Sequence, residues 1–217
     1  MNYKNSLDEN ERLKIKNSRV CVVGCGGLGG YIAELLIRLG VGHIVAVDRD
    51  TFDESNLNRQ LTCTLETLGK GKADAVKERA SLINSEVQVT AVTEFLTAEN
   101  AGEIIAGCNL VIDALDTIEA RKILHSACKK QGVPMVFGAI GPWHIQYGVI
   151  PPDSDMFAKM TSSPDYHGET MLSFVPSLCA SCQVAEAVKL LTGNESTLMG
   201  KICDVDLMTN EQLIIQI

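Results

Sequence analysis

Residues 20–29 run from a hydrophobic strand into a turn whose composition suits the binding of a phosphorylated ligand. In this turn Gly24, Gly26 and Gly29 have the spacing G-x-G-x-x-G. Such a turn lets the backbone approach a phosphate closely, and the helix that follows points its first N–H groups at the phosphate. The turn alone indicates a nucleotide, and its alternative reading is a tight strand-to-helix connection without a ligand.

A carboxylate and several polar or cationic side chains follow the next predicted strand. Asp48 ends this strand about 20 residues beyond the glycine turn, where a ribose hydroxyl can donate to it. Asn56, Arg59 and Lys72 come next, and Arg and Lys are usual phosphate donors. A dinucleotide needs fewer such groups, so the run predicts a triphosphate with its metal. Lys70 is expected to face solvent.

Two further carboxylates, Asp113 and Asp116, lie at the end of a later strand. The carboxyl ends of parallel strands face the ligand crevice of an open sheet. Mg²⁺ prefers one or two carboxylates together with phosphate oxygens, so Asp116 is predicted as a magnesium ligand, ahead of Asp113. The alternative is that Asp116 or Thr117 caps the helix that begins at Ile118.

The pair Cys179 and Cys182 has the C-x-x-C spacing near the start of a predicted helix. It is compatible with a reactive thiolate, with half of a metal site, or with small residues that pack the helix on the sheet. The chain has no second C-x-x-C, which argues against a four-cysteine zinc site within one chain. Trp143 is expected to pack either in the core or on a ligand or partner. His167 lies in a long loop.

Composition favours a globular chain. The 217 residues are 46% hydrophobic and 21% charged, and the formal net charge is −8. An acidic chain argues against nucleic acid as the main partner. A polar N-terminal segment and short apolar runs predict no secretion signal and no membrane span, and eight cysteines without such a signal suggest a reducing cytoplasm.

Strands alternate with helices, which predicts one α/β domain over residues 1–217. The expected fold is a Rossmann-like, mainly parallel sheet with helices on both faces and an antiparallel C-terminal extension. A polar stretch at 151–175 is predicted to be a functional crossover or a disordered segment. The predicted strands lie at 19–23, 43–48, 87–92, 109–113, 134–138 and 145–150, the helices at 28–39, 72–83, 98–105, 118–130 and 177–191, and a hairpin at 201–217.

These motifs together resemble the ThiF/MoeB/HesA family, the bacterial relatives of ubiquitin-activating enzymes. The specific part is the run Ser-Asn-Leu-Asn-Arg-Gln at 55–60, and the resemblance covers nearly the whole chain. It implies a homodimeric adenylyltransferase that uses ATP and Mg²⁺. The implied substrate is a small ubiquitin-like sulfur-carrier protein with a Gly-Gly C-terminus, in a thiamin or molybdenum-cofactor pathway.

The resemblance also assigns roles to individual residues. It implies catalytic roles for Arg59, Lys72 and Asp116, with Asp116 holding the metal. The implied nucleotide contacts are Gly24, Gly26, Gly27, Gly29, Asp48, Asn56, Arg59 and Lys72.

Two departures from the family pattern support other interpretations. Relatives commonly carry an arginine-rich stretch before the first strand and two zinc-binding C-x-x-C pairs, and neither feature is found in these 217 residues. The missing arginine stretch motivates one alternative, a non-catalytic, nucleotide-binding regulatory module. A nicotinamide-dependent oxidoreductase needs only the glycine turn and Asp48, but it leaves Asn56, Arg59 and Lys72 without a role.

Overall fold

The computed structural model describes residues 6–159 and 171–217. This part of the chain contains strands β1 Arg19–Val23, β2 His43–Val47, β3 Gln88–Val92, β4 Leu110–Asp113, β5 Met135–Ile140, β6 His144–Ile150, β7 Lys201–Asp206 and β8 Glu211–Gln216. Its helices are α1 Glu9–Lys16, α2 Gly29–Leu39, α3 Lys72–Ile83, α4 Ala101–Ile104, α5 Ile118–Gln131, α6 Met156–Lys159 and α7 Phe174–Thr192, with a short 3₁₀ turn at Glu54–Asn56.

The eight strands form one sheet in the order β3-β2-β1-β4-β5-β6-β7-β8. The first five pair in parallel, and β6, β7 and β8 continue the sheet in antiparallel pairing. This confirms the predicted mainly parallel sheet with an antiparallel C-terminal extension. The chain leaves β1 toward β2 on one side and returns on the other side with β4, so a crevice opens at the carboxyl ends of β1 and β4.

Helices cover both faces of the sheet, as predicted. Along β1, Val20 and Val22 face the layer that contains α2 and α7, whereas Cys21 and Val23 face the layer that contains α4 and α5. Because side chains alternate along a strand, a strand buried on both faces reads as a continuous apolar run. The run Val-Cys-Val-Val at 20–23 therefore lies in the middle of the core.

Several element boundaries differ from the sequence predictions. Helix α7 begins at Phe174, and Pro176 lies in its first turn, where the missing N–H leaves no hydrogen bond unmade. Helix α1 was not predicted, because Ile15 is its one buried residue and its charged sequence lacks an apolar stripe. Helix α6 lies inside the predicted crossover. The central part of that crossover, including His167, falls outside the described residues.

By length and composition alone, α7 is apolar enough to cross a membrane, with 19 residues and a mean hydropathy of 1.3. The sequence prediction overlooked this property of the helix. In the fold α7 packs on β5, β6 and α2, and it buries the polar side chains of Gln183 and Glu186. Packing of α7 on the sheet therefore accounts for its apolar composition.

The outer edge of the sheet differs from its centre. All six residues of β8 are exposed. Leu213 is 62% exposed and Ile214 is 54% exposed, so apolar side chains project from both faces of this strand.

Candidate active site

A cavity of about 780 Å³ lies at the carboxyl ends of β1, β2 and β4, at the crevice that the topology predicts. The glycine turn, the end of β2, the start of α3 and the loop between β4 and α5 contribute to its wall. Of the predicted site residues, the cavity wall includes Gly24, Gly26, Gly27, Asp48, Arg59, Lys72 and Asp116. Gly29 and Asn56 lie behind the wall.

Two glycines of the turn are required by contacts within the protein. Gly24 has a φ of +93°, and a Cβ there would lie 2.5 Å from the carbonyl oxygen of Ala114. A Cβ on Gly29 would lie 1.7 Å from the carbonyl oxygen of Gly24. Helix α2 starts at Gly29 and no side chain caps it, so its first N–H groups are available to an anion.

Asp48 is fixed by backbone hydrogen bonds at the cavity wall. Cys25 N–H donates to Asp48 Oδ2 at 2.7 Å, and Asp50 N–H donates to Asp48 Oδ1 at 2.9 Å. Burial raises the pKa of Asp48 above its ordinary value, against the effect of these two donors. Each carboxylate oxygen retains capacity to accept a further hydrogen bond, as a ribose contact requires.

Two cations reach the cavity from different elements. Lys72 is the first residue of α3, and its Nζ lies 3.5 Å from Asp50 Oδ2. Arg59 follows the 3₁₀ turn and donates from Nη1 to Ser55 O at 2.9 Å. Lys70 pairs instead with Glu78 on α3 at 2.6 Å, so the lysine expected to be the weaker candidate lies apart from the cavity.

Asn56 is buried, and its side chain holds the turn that precedes Arg59. Its Oδ1 accepts from Asp53 N–H at 3.3 Å and its Nδ2 donates to Ser55 Oγ at 3.2 Å. The carbonyl oxygen of Asn56 accepts from the N–H groups of Arg59 and Gln60. Asn56 therefore positions the cation, and its predicted contact with the nucleotide stays a prediction.

Gln60 belongs to the motif at 55–60 but was not predicted as a site residue. It lines the cavity although only 6% of it is exposed. Its Oε1 has no hydrogen-bond partner among the described residues, and a Cβ on Gly26 would lie 3.4 Å from its amide nitrogen. A buried amide oxygen without a partner is costly, which makes Gln60 a candidate ligand contact. Its position directly after Arg59 was the available sequence signal.

The two carboxylates after β4 have different environments. Asp113 is fully buried, and burial raises its pKa. Asp116 is exposed at the cavity wall, and Thr117 caps α5 by accepting from Ala120 N–H. Because Thr117 makes the cap, the Asp116 carboxylate is available to a cation. The described residues contain no cluster of three metal-ligating side chains, so a hard ion here needs phosphate oxygens as further ligands.

The C-x-x-C pair fits the packing interpretation. Cys179 lies beyond the first turn of α7, is fully buried, and donates from Sγ to Gln146 O at 3.5 Å. Burial raises the pKa of both Cys179 and Cys182. The helix begins at Phe174, five residues before Cys179, so neither thiol lies at the helix start that the reactive-thiolate interpretation requires.

Trp143 lies on the surface beside the cavity, in contact with an aromatic residue of α7. Its ring centroid is 5.4 Å from that of Phe174, and both side chains are exposed. The next residue, His144, lines the cavity. The core alternative for Trp143 is therefore wrong.

Comparison with known proteins identifies the family. The family model described as "ThiF family" matches residues 2–217. This chain belongs to the ThiF family. The predicted family resemblance is thereby confirmed.

Similar ThiF-family proteins have names that denote several activities. The chain is 36% identical over 190 residues to the sulfur carrier protein ThiS adenylyltransferase of Bacillus subtilis, covering 84% of this chain but 56% of that protein. It is 32% identical to the SAMP-activating enzyme E1 of Haloferax volcanii, covering 90% of this chain and 75% of that enzyme. It is 43% identical to the tRNA threonylcarbamoyladenosine dehydratase of Bacillus subtilis, but over 56% of this chain and 48% of that enzyme.

Solved structures support the fold of this ThiF-family chain. Escherichia coli MccB, crystallised with ATP, matches with a TM-score of 0.83 at 17% identity, over 95% of this chain and 66% of that one. PaaA matches with a TM-score of 0.81 at 23% identity, over 95% of this chain and 75% of that one. At these identities the likeness establishes the fold alone.

Proposed function

We propose that this chain uses ATP to adenylate the C-terminal glycine carboxylate of a small ubiquitin-like sulfur-carrier protein. The observation that carries the proposal is the convergence of Arg59, Lys72 and Asp116 on the cavity that the glycine turn and Asp48 also line. Two cations and a free carboxylate suit a polyphosphate with its metal better than a dinucleotide. The name of the Bacillus subtilis ThiS adenylyltransferase, to which the chain is similar, supports this choice.

The proposed reaction needs no general base, because the nucleophile is already a carboxylate. A carrier oxygen forms a bond to the α-phosphorus, the bond from that phosphorus to the bridging oxygen breaks, and pyrophosphate leaves with the electron pair. The protein must align two anions and stabilise the charge that develops on the phosphates. Asp48 would hold the ribose, and Arg59 and Lys72 would neutralise the phosphates.

The residues present also fit magnesium. Asp116 would hold the ion, which supplies positive charge at the phosphates when bound. Lys72 would reach the phosphates by leaving Asp50. The separation of 3.5 Å between Nζ and Oδ2 makes this a loose ion pair, in which the Lys72 side chain is 11% exposed and that of Asp50 is 58% exposed. Catalysis then rests on positioning and on charge.

We further propose that the carrier tail enters beside β6. Gly141, His144 and Gln146 line that end of the cavity, and Trp143 with Phe174 forms an exposed aromatic surface next to it. A homodimer working in the cytoplasm, in a thiamin or molybdenum-cofactor pathway, completes the proposal.

The decisive experiment is ATP–pyrophosphate exchange with Mg-ATP and a panel of Gly-Gly-ended carriers. We expect exchange with one carrier, and a fall of about 100-fold in the Lys72→Ala variant because a charge at the phosphates is lost. Lys70→Ala is the matched control. It removes a lysine two residues away that pairs with Glu78 outside the cavity, and it should leave exchange unchanged.

Other outcomes identify the alternatives. ATP binding without exchange for any carrier would favour the non-catalytic module. Preferential binding of NAD over Mg-ATP would favour an oxidoreductase. AMP formation that depends on tRNA would move the chain toward the dehydratase relatives, although the net charge of −8 argues against a nucleic-acid partner.

A further inference from the structure

Arg121 is a buried cation in the wall of the cavity. It lies on α5, it is 7% exposed, and its guanidinium carbon is 4.8 Å from the centre of the Phe137 ring. Its Nη2 donates to the carbonyl oxygens of Leu115 and, at 2.8 Å, Gly138. Its Nε lies 3.6 Å from Asp113 Oδ2. The guanidinium is therefore already engaged by protein groups on two of its nitrogens.

These contacts fix both polar groups of one backbone residue. Asp113 Oδ1 accepts from Leu115 N–H at 2.9 Å, while Arg121 donates to Leu115 C=O. Leu115 immediately precedes Asp116, the carboxylate at the cavity wall. The orientation of the peptide that leads into Asp116 is thus set by Asp113 and Arg121 together.

A second layer holds these two residues in place. Gln183 of α7 donates from Nε2 to Asp113 O at 2.8 Å, and it is fully buried. Its amide packs against Gly138, where a Cβ would lie 2.3 Å from Gln183 Cδ. Since Gly138 also accepts from Arg121, the network links α5, α7 and β5 around the loop that carries Asp116.

We propose that Arg121 is the positioning residue for the metal ligand Asp116. This inference rests on the proposed function. Arg121 acts through the backbone of Leu115 and orients the Asp116 carboxylate at the cavity wall, where that carboxylate would hold Mg²⁺. Lysine cannot replace it, because one ammonium group lacks the planar fork that reaches two carbonyls and a carboxylate together.

The test is nucleotide binding by the Arg121→Lys variant, measured by calorimetry with Mg²⁺ and again with EDTA. We expect the Kd for metal-free ATP to change by less than about twofold. The Mg²⁺ concentration that gives half of the metal-dependent increase in ATP affinity should rise about tenfold, because loss of a residue that orients a metal ligand usually weakens metal binding by that factor. The affinity for Mn²⁺ in the presence of ATP, measured by electron paramagnetic resonance, should fall by a similar factor.

Three further variants separate the possible outcomes. Asp116→Ala should abolish the Mg²⁺ dependence of ATP binding. Arg79→Lys is the control and should leave this dependence intact, because Arg79 makes a similar arginine–carboxylate pair with Glu34 outside the cavity wall. Gln183→Leu should shift the Mg²⁺ dependence in the same direction as Arg121→Lys, by less, and it serves if Arg121→Lys does not fold.

Two results would overturn the positioning role. An equal loss of ATP affinity with and without metal would make Arg121 a direct nucleotide contact. An unchanged Mg²⁺ dependence in both Arg121→Lys and Gln183→Leu, with Asp116→Ala still defective, would show that the loop needs no such support. If Asp116→Ala itself keeps the Mg²⁺ dependence, the assignment of Asp116 as metal ligand fails, and the role of Arg121 fails with it.

Discussion

Individual side chains at the cavity have roles that residue type alone does not reveal. Arg59 and Lys72 lie at the wall, as their types and spacing predicted, whereas Asn56 from the same run is buried beneath them. Gln60 and Arg121 line the cavity and escaped prediction. The sequence shows Arg121 as an ordinary helix residue, since its partners Leu115, Gly138 and Asp113 all lie outside its helix. Contacts of that kind follow from the tertiary structure and leave no pattern in a sequence.

Asp48 gives a prediction for pH dependence at this scale. Burial raises its pKa, so the carboxylate takes up a proton at a higher pH than an ordinary aspartate does. A ribose hydroxyl donates to the ionised form, so affinity for adenosine should fall as the pH is lowered through that raised pKa. Calorimetric titration with adenosine, which has no phosphate to titrate, from neutral pH to about pH 4 measures this fall.

The Asp48→Asn variant should bind adenosine more weakly at neutral pH and lose the pH dependence. Asp153→Asn, at an exposed position outside the cavity wall, is the control and should behave as wild type. A pH dependence that survives in Asp48→Asn would assign the titration to another group.

Secondary-structure elements were predicted well where a local pattern determines them. The bounds of β1 and α3 agree with the predictions, because an apolar run and a clear helix start define them. Helix α7 was placed three residues late, and this error made the C-x-x-C pair look like a helix terminus. Packing on the sheet sets the first turn of α7. Pro176 lies in that turn, and its presence led to the prediction that the helix begins after it.

The glycine turn gives a prediction about an element. Gly24→Ala should lower the free energy of unfolding by about 3 kcal/mol, since it combines a positive φ with a collision against Ala114. Gly69→Ala is the matched control, because Gly69 has a φ of +79° and no atom lies within 4 Å of the place that its new methyl group would take. It should cost only about 1 kcal/mol. Urea denaturation measures both.

Equal losses in the two variants would mean that backbone strain, and not the contact between the two loops, makes glycine necessary at position 24. Gly24→Ala should also weaken ATP binding, because the displaced loop carries the first N–H groups of α2. Gly69→Ala should leave ATP binding unchanged.

At the scale of the whole molecule, the alternation of strands and helices was enough to predict the class of fold. The sheet order follows less directly, because β1 pairs with β4 at a sequence separation of about 90 residues and no local signal marks that pairing. Most of the motif residues nevertheless line one cavity, since parallel strands bring their carboxyl ends to one edge. The family match agrees with this fold, and the residues that line the cavity support the proposed reaction.

The exposed strand β8 has a consequence for solubility. A net charge of −8 keeps copies apart at pH 7, but this repulsion fades toward the isoelectric point near 5.0. Without it, an edge strand that presents leucine and isoleucine is open to pairing with other chains. We therefore expect turbidity to rise steeply as the pH of a concentrated solution is lowered from 7 toward 5.

Leu213→Lys should delay this clouding, because a charged side chain on an edge opposes strand pairing. Leu82→Lys adds the same charge at a more exposed leucine, 81% exposed on α3, and should protect much less. Equal protection by both variants would assign the clouding to net charge alone. If Leu213→Lys protects more than Leu82→Lys does, the six residues of β8 limit the concentration and acidity at which this protein can be stored and studied.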